Sequence, residues 1–172
     1  MAEIYDIKIK GKGIVDISEL KCFERYDWTD KQTKTYLNKY VLPATAKCNV
    51  MAGCKGVLDL LKAEGHELIV VTKRGWISEA EIDSAKAVFM KNNLKFDKYF
   101  WNVESKSKIC KQEKIDIYIE DYDKFCLQLQ KEKIMTLYLR DIDMPKLKTS
   151  KYLKQVNDWG QIYRAIKEIN KL

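Results

Sequence analysis

One histidine in 172 residues, and five cysteines that form no Cys-x-x-Cys pair, leave this chain without the ligand spacing of a structural zinc site. Cys22, Cys48, Cys54, Cys110 and Cys126 therefore read as small core hydrophobes in a reducing compartment. No apolar run approaches the roughly 20 residues of a membrane span. The opening Met-Ala-Glu-Ile-Tyr-Asp is too polar for a signal peptide, so the expectation is a soluble, cytoplasmic protein with no membrane partner. No repeat or low-complexity tract points to a fibre or an array. The lysines lack an interleaved aromatic motif, so no nucleic-acid partner is expected either.

What the chain has is an ordinary globular balance, 46% apolar and 33% charged. Its 32 Lys+Arg against 25 Asp+Glu leave +7, which favours small anionic partners. From Gly53 onward helix and strand signals alternate. "GCKGVLDLLKAEG" puts Cys54, Val57, Leu58 and Leu61 on one helical stripe, and Gly65 suits the left-handed cap that stops it. A strand over Leu68 to Val71 follows. Ser78 and Glu81 form a capping-box pattern for a helix whose inner face is Ile82, Ala85 and Phe89, ending at Asn92 and Asn93.

"KYFWNV" reads as a second strand, "IDIYIED" as a third covered on both faces, and "KIMTLYL" as a fourth. Short helices separate them, near 107–114 and 122–131. Asp158 with Gln161 opens a last helix with Trp159, Ile162, Ile166 and Ile169 on one face. The alternation predicts an α/β body over 51–172, a parallel sheet with helices on both faces. Residues 1–50 are mixed and aromatic, with Phe23, Tyr26, Trp28, Tyr36 and Tyr40. They read as an N-terminal segment and small helical cap.

In a parallel sheet ligands gather at the carboxyl ends of the strands, and two candidate clusters fall there. Thr72 leaves its strand with Lys73 and Arg74 behind it. A hydroxyl, a free amide and a guanidinium can cradle a phosphate, or the threonine simply ends a strand and the cations are solvated. Glu120 and Asp121 end "IYIED". Two adjacent acids at a buried tip call for a nearby lysine or a hard cation such as Mg2+; alternatively Asp121 caps the next helix. The run "SKSKICK" offers Lys106, Lys108 and Lys111 as the neutralising lysine or as a solvated face.

The order of these pieces resembles the second, third and fourth motifs of the haloacid dehalogenase-like phosphohydrolases. "IVVTKR", "KSKICKQEKIDIYIED", "GKGIVD", "YDWTD" and "VNDWGQIY" are similar to the bacterial nucleotidase branch, near the 5'(3')-deoxyribonucleotidases. The resemblance implies a three-layer Rossmann-like sheet and phosphomonoester hydrolysis on a small phosphorylated substrate such as a nucleotide. It assigns catalytic roles to Thr72 and Lys106, substrate contacts to Lys73, Arg74 and Trp28, and Mg2+ to Glu120 and Asp121.

That family's first motif, DxDGT, which carries the attacking aspartate, is absent. Asp6 in "YDIKI", Asp16 in "VDISE" and the pair Asp141 and Asp143 in "RDIDMP" do not reproduce it. One expectation is that the motif lies upstream of Met1 and completes a Mg2+-dependent phosphomonoesterase, the chain as given having little or no activity and weak or absent Mg2+ binding; the alternative is a non-catalytic phosphate-binding or interaction protein. The first, central strand of the family sheet goes missing with the motif. Unpaired buried backbone groups cost about 1–3 kcal/mol each, so something has to cover the gap. The candidates are "EIYDIKIK", a partner chain or a rearranged strand order, and an exposed internal edge raises the expectation of a homodimer.

Overall fold

The computed structural model describes residues 1–19 and 23–170. Cys22 lies outside them. Strands β1 (Ile69–Val71) and β2 (Lys98–Phe100) form one parallel sheet; β3 (Ile117–Glu120), β4 (Met135–Leu139) and β5 (Leu153–Val156) form another, in that order. Val71 stands opposite Phe100, and Ile119 opposite Leu137. The molecule is thus mixed α/β with every strand pair parallel, and the two sheets are not joined by a ladder among the described residues.

The connections are helices α4 (Cys54–Ala63), α5 (Ala80–Lys91), α6 (Lys106–Gln112), α7 (Asp123–Lys131) and α8 (Trp159–Ile169). The stripe expected on α4 is buried as Cys54, Val57, Leu58 and Leu61. Gly65, at φ 88°, ends that turn in the left-handed region where a side chain is strained. Successive strand residues point to opposite faces, and the core divides accordingly. Ile117, Ile119 and Leu137 pack with α4 and α8 through Leu61, Ile162 and Ile166. Tyr118 packs on the other face with Cys110 of α6 and Leu129 of α7.

Several expectations change. The fifth strand, β5, has no clear sequence signal: its buried residues, Leu153 and Val156, are three apart with Lys154 and Gln155 between them, which spoils the period of two. The Ser78–Glu81 capping box does not form. Helix α5 starts one residue later, at Ala80, without a side-chain cap, because the Glu81 carboxylate accepts from the Gly75 and Ile77 amides instead. Ser78 donates to Asn38. The Asp158 cap does form, accepting from the Gln161 amide at 2.7 Å, but Gln161 reaches back to Asn157 rather than to Asp158. Cys54, Cys110 and Cys126 are buried as expected, whereas Cys48 is exposed.

The elements of residues 1–50 are helices: α1 (Ala2–Lys8), α2 (Asp30–Tyr36), a π-helical turn over Leu37–Val41, and α3 (Leu42–Thr45). "EIYDIKIK" is therefore helical at its start and fills no gap in a sheet. Tyr5, Tyr36 and Leu37 form a separate aromatic core with Trp28 and Tyr40. Asp6 is its polar centre, accepting from the Trp28 indole at 2.6 Å and the Gly13 amide at 2.8 Å. A Cβ on Gly11 would lie 1.9 Å from the Asp6 carboxylate, so glycine is required there for the chain to wrap around the acid.

Candidate functional site

Cross-ties set β1 and β3 side by side in the same direction: Lys98 pairs with both Glu67 and Glu113 ahead of the two strands, so their carboxyl ends open on the same edge. Tyr118 ties the two together: its hydroxyl donates to the Val71 carbonyl at 2.7 Å, which brings Thr72, next after Val71, toward the strand that ends in Glu120. Ser105 caps α6 by accepting from the Lys108 amide, and this sends Lys106, the first residue of the helix, inward. Its ammonium forms an ion pair with Glu120. The same ammonium lies 4.2 Å from the centre of the Phe125 ring and 5.7 Å from that of Tyr118. Lys108 is exposed, and Lys111 pairs with Glu132 across to α7. Of the three lysines in the cluster, one is turned to the strand tip and two belong to the surface.

Glu120 is only 5% exposed. One carboxylate oxygen meets Lys106, and the other accepts from the Asp121 and Tyr122 amides, each at 3.2 Å. Burial pushes its carboxyl above the ordinary 4.5; the Lys106 ammonium opposes that shift and the neighbouring Asp121 carboxylate adds to it. Asp121 itself is exposed.

This arrangement bears on magnesium. A hard cation needs several free oxygen ligands, but both Glu120 oxygens are engaged, and no group of three metal-ligating side chains converges among the described residues. As arranged, the two acids do not make a magnesium site by themselves.

At the other strand end, the Thr72 hydroxyl accepts from the Arg74 amide at 3.3 Å, and the Thr72 backbone bonds to Phe100 and Val103. Thr72 is thus held rigidly while its side chain stays half-buried. Lys73 lies over the exposed Trp76 ring at 5.1 Å, and Arg74 is exposed. Trp28 sits in the cap core, stacked on Tyr26 at 4.6 Å with its indole N–H given to Asp6. Thr72, Lys106, Glu120 and Asp121 thus share one edge, with Lys73 and Arg74 beside Thr72.

Of the other aspartates of the sequence, Asp16 is exposed and within reach of the Lys124 charge at the start of α7. Asp6 is inside the cap core, and Asp16 accepts from Ser18. Asp141 and Asp143 follow β4, which pairs with β3 on its far side from β1. There Arg140 binds the Met144 and Ile142 carbonyls and shapes the loop. The nearby cysteines are disfavoured as nucleophiles: burial pushes the Cys110 thiol up to about 11 and Cys126 higher still, away from the reactive thiolate.

Sequence reasoning overlooked Tyr118, Phe125 and Ser105. Tyr118 and Phe125 are ordinary apolar positions in a linear reading. Ser105, a serine before a lysine-rich helical run, carried a readable capping signal. No protein-family model matches the chain, and no curated protein matches it.

Proposed function

We propose that this chain is a phosphoryl-binding relative of the haloacid dehalogenase-like phosphohydrolases, laid out like their nucleotidase branch, that holds a small phosphomonoester without hydrolysing it. In this reading the α/β body takes that superfamily's three-layer Rossmann-like architecture, lacking the strand between β1 and β3. The observation that carries it is the convergence of the Thr72 and Glu120 strand ends, with Lys106 turned in between a carboxylate and two rings.

Thr72 donates its hydroxyl to one phosphoryl oxygen and Lys106 moves from Glu120 to another. Lys73 and Arg74 supply flanking charge, and the cap around Trp28 faces the leaving group. Binding an anion at Lys106 leaves Glu120 without its counter-charge. The carboxylate then takes up a proton. Turnover requires a carboxylate nucleophile at phosphorus, a role that Asp6, Asp16, Asp141 and Asp143 do not fill in this reading.

The test is a titration of the protein with inorganic phosphate and with a nucleoside monophosphate, followed by amide chemical shifts. Shifts centred on Thr72 and residues 105–107 are expected, with affinity reduced at least tenfold in Thr72→Val and in Lys106→Met. An aryl phosphate with Mg2+ should release no phosphate above background. Absence of binding at millimolar phosphate, or unchanged affinity in folded Thr72→Val, overturns the reading.

A further inference from the structure

Between the two sheets lies a cavity of about 450 Å³. Its walls include the consecutive residues His66 to Val71 on one side and Glu113 to Ile119 on the other. Side chains alternate along a strand, so a cavity touched by every residue in turn runs along strand edges rather than over one side-chain face.

The hydrogen bonds agree. Leu68 accepts from Asp97, and Thr72 bonds to Phe100 and Val103, so Leu68, Val70 and Thr72 aim their backbone groups at β2. By alternation Ile69 and Val71 aim theirs into the cavity. On β4, Thr136 and Arg140 donate to β5 residues and their neighbours, which turns Leu137 to β3. With Leu137 opposite Ile119, the pattern turns Tyr118 and Glu120 to β4, and Ile117 and Ile119 to the cavity. Two edges of the same direction thus face each other, and among the described residues no backbone ladder joins them.

We infer that this gap is a strand acceptor: it takes an extended, apolar polypeptide segment from a partner, running parallel to β1 and β3 and hydrogen-bonded to both. Two strands flanking a third stand about 10 Å apart, too far for direct pairing. Tyr118 shows the span, since a side chain rather than a backbone amide reaches the Val71 carbonyl. Its hydroxyl stands in for one missing backbone donor.

The occupant's side chains would meet Leu61 and Ile166 on one face, and Val71 and Tyr118 on the other, so its centre is apolar. Its amino end enters where Glu67, Glu113 and Asp116 oppose Lys114 and Lys98. That entrance is net acidic in a chain of +7, so the occupant carries a Lys or Arg there. The inference does not depend on phosphate binding.

The probe is the peptide acetyl-Lys-Val-Ile-Val-Ile-Val-amide, and the readout is backbone amide exchange. Saturating peptide should slow exchange at Ile69, Val71, Ile117 and Ile119 at least tenfold. N-methylation at every second peptide residue, in either phase, should abolish the effect because both edges are used. Glutamate in place of the lysine should weaken binding at least tenfold. No slowing at those four amides, equal binding of the methylated peptides, or equal binding of the glutamate peptide overturns the proposal. So does slowing that grows with protein concentration in the absence of peptide, which would make a second copy the occupant.

Discussion

The two sheets flank the same gap, yet they are built on opposite terms. In β3, β4 and β5 the interior is closed: Leu137, Tyr138 and Thr136 are fully buried, and α4, α6, α7 and α8 cover the faces. The β1 and β2 pair is short and half-open, with Lys98 and Tyr99 exposed. Its start is tied by Asp97, which accepts from the Leu68 amide and from Lys62. One sheet stands on apolar burial, and the other leans on surface charge and on the aromatic stack of Phe89, Phe96, Tyr99 and Trp101. The closed half holds the buried Lys106–Glu120 pair, and the more exposed half holds Thr72. A ligand that bridges them would couple the two.

The largest effect should come from splitting the buried pair. Lys106→Met leaves Glu120 charged and uncompensated, at a cost of about 3–5 kcal/mol near neutral pH. The sign with pH follows from Glu120's raised folded-state pKa: its contribution to stability is fully present below the ordinary 4.5 and is lost as pH rises through the raised value. The penalty in Lys106→Met should therefore shrink as pH falls toward 4. Urea midpoints at pH 4 and 7 check this, and a penalty independent of pH would show that Glu120 is not the group left stranded.

Next in size is Leu137→Ala in the closed sheet, expected to cost about 2–5 kcal/mol. Tyr99→Ala in the open one should cost less than about 1.5 kcal/mol, the worth of its ring contacts. Equal losses would erase the contrast. Smallest is Asp97→Asn. Hydrogen bonds from the Leu68 amide and Lys62 hold the Asp97 carboxyl below its ordinary 3.8. Its contribution is present above that value and disappears as pH falls through the lowered one. Acid should therefore lower the amide protection factors at Leu68 and Asp97 in the native protein, and Asp97→Asn should show low protection there at every pH, while Leu137 stays protected throughout. The two sheets thus respond to acid with opposite sign.

The elements readable in advance were those whose signals are local. The α4 stripe, the Gly65 stop, the Asp158 cap and the apolar run of β3 depend on residues within one or two turns of each other. Where a distant group competed, local reading failed. Glu81 caps no box because two loop amides took its carboxylate, and β5 is a strand only because β4 offers it an edge. The candidate site divides in the same way. Thr72, Lys106, Glu120 and Asp121 stood out as residue types at strand and helix ends, but Tyr118, whose hydroxyl connects the two ends, did not.

By itself, the order of residues determined an alternating α/β chain, the helix faces and which polar groups end up at strand tips, because periodicity and caps act over short separations. Tertiary structure alone decided that the strands divide into two sheets with a gap between them and that Lys106, rather than its neighbours, turns inward. It also decided that both Glu120 oxygens are spent. Each of these depends on hydrogen bonds and ion pairs between segments far apart in the chain, whose partners no local pattern specifies.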